Sequence, residues 1–119
     1  MSSEIRVTGE IRYSKNGVVW DQPLTLTRDC AGDESAAPYV QIIGTSDETI
    51  VPPDIAAGGL FYIQNLDSTN YVQLGGAAAT YMLRLLAGDK FFFRLDNSAT
   101  LYAKANTAAC RVLVAAADL

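Results

Sequence analysis

The chain has 119 residues, no histidine and a net charge of −4; half of its residues are apolar and only 18% are charged. That length suits one domain that removes roughly two-thirds of its unfolded surface from water. The low charge content implies that another chain covers part of the surface. An acidic chain with no Lys/Arg run interleaved with aromatics repels phosphate backbones, which excludes nucleic acid as a partner. The longest apolar stretches, about seven residues, are too short to cross a bilayer. Residues 1–10 lack a basic start followed by an apolar core, so no secretory signal is read and a cytoplasm is the expected place of folding.

Residues 3–13 alternate cleanly. Ile5, Val7, Ile11 and Tyr13 fall on one face and Glu4, Arg6, Thr8, Glu10 and Arg12 on the other, so this is a strand with one wet or partner-facing side. Asn16-Gly17 suits the two positive-φ positions of a type I′ turn, which makes 18–28 the second arm of an N-terminal hairpin at about 3–28. Pro23 cannot donate to a ladder and places an edge or a break near the middle of that arm. Residues 29–38 have turn composition and read as a surface loop.

Short strands follow at 39–44 and 48–51, the latter ended by Pro52-Pro53, and a flexible connection spans 55–59. Six further strands are expected at 60–65, 71–74, 81–86, 90–95, 100–105 and 110–115. Turns this short force antiparallel pairing, because parallel neighbours need crossovers of a dozen or more residues. The expected fold is therefore all-β: one antiparallel domain over 1–119, a β-sandwich or a barrel. Period two puts Ile5, Val7, Ile11, Phe61, Ile63, Val72, Leu74, Phe91, Phe93 and Leu101 in its core. Ala77-Ala78-Ala79 and Ala115-Ala116-Ala117 are too short to nucleate helices.

Chemistry is hard to place on this chain. Cys30 and Cys110 form no CxxC pair, and without histidine a zinc site lacks nitrogen ligands, so the two read as free packed thiols, with a disulfide between them as the alternative. The 65–70 loop, Asn-Leu-Asp-Ser-Thr-Asn, offers calcium a single carboxylate where several are needed, and reads as a turn in which Asp67, Ser68 and Asn70 bond the local backbone. Asp33-Glu34 and Asp47-Glu48 read as solvated loop charges. Nucleophilic catalysis needs a positioned base, most often histidine. No catalytic residue, metal ligand or cofactor is assigned, and the chain is not expected to be an enzyme.

The aromatic residues are more informative. Phe91, Phe93 and Leu95 share one face of their strand, so Phe92 points the other way with Lys90 and Arg94; by the same logic Tyr62 opposes Phe61 and Ile63, and Tyr102 opposes Leu101 and Ala103. Rings on the second face either pack beneath a loop or bury against a partner, where Tyr and Phe are enriched. Trp20 or an exposed tyrosine stacking on carbohydrate is a third reading. Trp20, Tyr62, Phe92 and Tyr102 are the candidate interface residues.

The segments QIIGTSDETI at 41–50, FYIQNLDSTNYVQLG at 61–75, LLAGDKFFFRL at 85–95 and LYAKANTAACRVLV at 101–114 resemble small β-sandwich structural proteins of tailed-bacteriophage particles. Residues 1–30 carry no such likeness. The resemblance implies an antiparallel β-sandwich or jelly-roll-like protein without an active site that binds the capsid lattice or sits at the tail. Within it, a compact domain without fibrous repeats suits a capsid decoration or cement protein that bridges subunits of the major capsid protein. Such a protein would be a homo-oligomer, a trimer first, on the capsid surface of a virion assembled in the host cytoplasm, with no membrane partner. A tail or neck component and a carbohydrate-binding module are the alternatives.

Overall fold

In the computed structural model, residues 5–29, 35–52, 59–96 and 99–117 are described; they form ten β-strands and no helix. The chain divides into two compact units, one holding the N-terminal hairpin and the other spanning Asp33–Asp118.

The hairpin pairs β1 (Ile5–Lys15) with β2 (Val18–Arg28) through eleven uninterrupted antiparallel partners, from Ile5 opposite Arg28 to Lys15 opposite Val18. Asn16 and Gly17 both take positive φ, 52° and 79°, as a two-residue type I′ turn requires. Pro23 sits in the ladder opposite Glu10 without breaking it. In a two-stranded ribbon both strands are edges, so a missing N–H that faces outward costs the ladder nothing.

The second unit holds β3 (Ser35–Ile43), β4 (Glu48–Ile50), β5 (Gly59–Asn65), β6 (Val72–Gly75), β7 (Leu83–Leu85), β8 (Lys90–Leu95), β9 (Leu101–Ala105) and β10 (Cys110–Ala117). Four nested antiparallel pairs organise them: β3 with β10, β4 with β9, β5 with β8 and β6 with β7. Successive pairs fall alternately in one sheet and the other, giving the orders β3-β10-β5-β8 and β4-β9-β6-β7. A long four-pair hairpin rolled up in this way is a jelly roll. The expected antiparallel all-β sandwich is present.

Two expectations fail. Ser35–Pro38 belongs to β3 instead of a loop, because β10 supplies partners for it, Ala117 opposite Ser35 and Ala116 opposite Ala36. Between the Ala36–Ala116 and Tyr39–Val114 pairs, Ala37 and Pro38 face Ala115 alone. This is a bulge on an edge strand, one of the few sheet positions that accept proline.

The second failure concerns burial. Phe61, Ile63, Val72, Leu74 and Leu101 are buried between the sheets with Ile43, Leu85, Val112 and Val114, while Phe91 and Phe93 are only partly covered against that core. Phe93 stacks on Phe61 at 5.8 Å between centroids. Ile5 and Val7 are half-buried, and Ile11 is 62% exposed. Its face was read correctly, but the two-stranded sheet has no second layer of its own to cover it.

Candidate functional site

The loops are built for structure. Asn65 is fully buried at the end of β5 and ties two turns together: its Nδ2 donates to the carbonyls of Asn70 (2.9 Å) and Leu85 (3.1 Å), and its Oδ1 accepts from Asp67 N (2.9 Å). Its backbone N–H donates to Asp89 O and its carbonyl accepts from Gly88 N, which pins the Leu86–Asp89 turn. Asp67 Oδ2 in turn accepts from Thr69 N and Asn70 N. These bonds to its charged form hold its carboxyl below the usual value. Of the three side chains expected to bond the local backbone at 65–70, Asp67 does so; Asn65 is the second that does, Thr69 Oγ1 donates to the Asp67 carboxylate, and Asn70 Oδ1 accepts from Thr107 Oγ1 outside the loop.

Of the acidic pairs, Asp33-Glu34 lies outside the described residues. Asp47 accepts from the Tyr81 hydroxyl and from Ala79 N, and Glu48 caps the Gly44 N–H. The Tyr81 bond, ahead of the Ala79 bond and the Lys104 charge, holds the Asp47 carboxyl below its usual value. Cys110 is a buried free thiol that donates to Ala108 O at 3.6 Å, its pKa pushed up by burial and by the Asp67 charge. Such a thiol is a poor nucleophile. Cys30 lies outside the described residues. Among the described residues no three His, Cys, Asp or Glu side chains converge as a metal site.

What the structure offers instead is surface. The register of the hairpin places Ile5, Val7, Ile11, Tyr13, Val18, Trp20, Leu24 and Leu26 on one face, with Gly9, Gln22, Lys15 and Arg28. Near the tip this apolar face is open: Val18 is 54% and Trp20 49% exposed. Tyr13 and Trp20, directly opposite each other, stack at 5.7 Å with their planes 11° apart.

A second apolar surface covers the outside of the β3-β10-β5-β8 sheet. Tyr62 faces Phe92 on one side and Ala115 on the other, and the neighbouring row runs Val40, Leu113, Gln64, Lys90. Phe92, Val40 and Ile42 are exposed, and the Tyr62 hydroxyl donates to Gln64 Oε1 at 3.0 Å. The outside of the other sheet is more polar. There Tyr102 lies between Thr49 and Gly75, one row from Lys104 and Gln73, and Arg84 sits 4.1 Å over the Tyr71 ring.

The four residues singled out from the sequence therefore separate. Tyr62 and Phe92 are cross-strand neighbours, Tyr102 belongs to the other sheet, and Trp20 lies on the hairpin. Sequence reasoning missed Val40 and Ile42 as outward residues, because in Tyr39-Val-Gln-Ile-Ile43 apolar side chains occupy both faces and period two selects neither. No protein-family model, curated protein or solved structure matches the chain.

Proposed function

We propose that the chain is a non-enzymatic structural protein of a tailed-bacteriophage particle, a decoration or cement protein that binds the major capsid protein from outside and bridges neighbouring subunits as a homo-oligomer, a trimer first. The observation that carries the binding part is the exposed apolar face of the hairpin, with Ile11, Tyr13, Val18 and Trp20 uncovered on a ribbon of eleven pairs. A lone two-stranded ribbon is marginally stable in water, so a face of this composition is accounted for by a partner that covers it. The phage part rests on the resemblance of 41–114. A jelly roll is compatible with it, although the same architecture also serves lectins and enzymes and does not by itself select a role.

The test is to size the purified chain in solution and then mix it with assembled, undecorated phage shells. A closed oligomer that cosediments with shells is expected, and Phe92→Asp or Trp20→Asp should weaken cosedimentation while leaving the fold intact. A chain that stays monomeric at high concentration and does not bind shells would move weight to a tail or neck component, or to a carbohydrate-binding module. The Tyr13 stack weighs against the last of these, since it takes one face of the Trp20 ring that a sugar would use.

A further inference from the structure

The charges that the strand ladders place on the two apolar faces have one sign, with the acids Asp89 and Asp96 just beyond the two ends of β8. On the apolar face of the hairpin the charged side chains are Lys15 and Arg28; on the outside of the first sheet, among the described residues, they are Lys90, Arg94 and Arg111. All five are cations, in a chain with thirteen acidic and nine basic residues. Lys90 and Arg94 flank Phe92 on the edge strand β8, where cations also discourage edge-to-edge pairing. Arg111 lies on β10, an interior strand with no edge to guard, so edge protection does not account for it.

We propose that the outer face of the β3-β10-β5-β8 sheet, centred on Tyr62 and Phe92, docks a different protein whose contact surface is apolar and rimmed by carboxylates. The inference rests on reading the chain as a binding protein, and it adds the chemistry of the partner. Rings at the centre with charges at the rim is the usual anatomy of a protein interface, and rim charges of one sign select a partner of the other. A second copy laid face to face on this sheet would bring two sets of Lys90, Arg94 and Arg111 together and is disfavoured for that reason. Single-stranded nucleic acid would meet the cations and the Tyr62 and Phe92 rings, but the rest of the face, Val40, Ile42 and Leu113, is aliphatic and gives further bases no π-face on which to stack.

The isotope-labelled full chain, small enough for amide-resolved NMR, tests this with three probes: a short strand peptide alternating leucine with glutamate, its glutamate-to-lysine counterpart, and oligothymidylate. The glutamate peptide should shift the amides of Val40, Tyr62, Phe92 and Leu113 and bind at least about tenfold more tightly than the lysine peptide. The triple variant Lys90→Glu, Arg94→Glu, Arg111→Glu should reverse that order, with its unchanged resonances elsewhere reporting an intact fold. Equal affinities, shifts on other surfaces, no shifts with either peptide, or tighter binding of oligothymidylate than of the glutamate peptide would each overturn the proposal. The shell assay separates it from the virion reading. Shell binding that survives the triple charge reversal sinks this surface alone, and a glutamate preference without shell binding sinks the virion reading alone.

Discussion

The hairpin and the jelly roll use the same alternating strands, and they differ in what lies over the apolar face. In β5 the alternation buries Phe61 and Ile63 against the facing sheet; in β1 an equally regular alternation leaves Ile11 62% exposed. Period two therefore says which residues share a face and is silent on what covers that face. A jelly roll supplies its own cover by rolling one sheet onto the other, whereas a ribbon of two strands has no second layer of its own.

The largest expected effect tests that contrast directly. Phe61→Ala empties a buried site stacked on Phe93 and should cost about 3–5 kcal/mol in urea unfolding. Ile11→Ala, in dilute solution where the chain is alone, should change stability by no more than about 0.5 kcal/mol. A loss above about 1.5 kcal/mol for Ile11→Ala would show that its face is covered, and if that loss grew with protein concentration it would identify the cover as another copy.

Next comes the polar knot that the ribbon has no counterpart for. Asn65→Ala removes three side-chain hydrogen bonds and strands the Leu85 carbonyl and the Asp67 N–H near the core, so a loss of about 2–3 kcal/mol is expected from the same unfolding curves. A loss under about 1 kcal/mol would mean that water replaces the amide.

Glycine makes the comparison at smaller magnitude. At Gly75 an added Cβ would run into the Thr80 carbonyl and come 2.9 Å from Tyr81 Cα, because the β6–β7 turn folds across that side of the sheet. Gly75→Ala should therefore cost about 1–3 kcal/mol. Nothing lies within 4 Å of the corresponding position at Gly9 on the ribbon. Gly9→Ala should be neutral or raise stability by up to about 1 kcal/mol, through the unfolded chain. Equal penalties at the two sites would show that the ribbon face is packed.

Much of this architecture was legible in the chain. The Asn16-Gly17 turn fixed the hairpin register, and Lys90–Leu95 matches its expected strand end to end, because a Gly-Asp turn precedes it and its apolar residues are strongly patterned. What stayed hidden is long-range. Ser35–Pro38 is a strand only because Ala116 and Ala117, some eighty positions away, pair with it; its own Ser, Ala and Pro composition argues for a loop. The pairing of Tyr62 with Phe92 across β5 and β8 follows from the nested hairpin, which no local pattern encodes. Arg111 joins the rim of that face for the same reason, since only the order of strands brings β10 beside β5.

The smallest effect concerns the Asp47–Tyr81 clasp, which joins the β3–β4 loop to the β6–β7 turn. The Tyr81 bond lowers the Asp47 pKa below its ordinary 3.8, so the clasp contributes stability above that value and loses it as the pH falls through the lower folded value. Tyr81 is shifted the other way, from 10.0 to about 12, by desolvation first and then by its bond to Asp47 and the charge beside it. Its contribution is complete below pH 10.0 and is lost as the pH rises through about 12. Both groups are solvent-facing, so screening keeps the energies small and makes side-chain NMR titration a better measurement than unfolding. The Asp47 carboxyl should titrate below 3.8 in the native chain and move upward in Tyr81→Phe, with the ribbon resonances unaffected. An unmoved Asp47 midpoint in that variant would show that the Ala79 N–H and Lys104 hold the carboxylate without the phenol, and that the two loops are joined by the backbone alone.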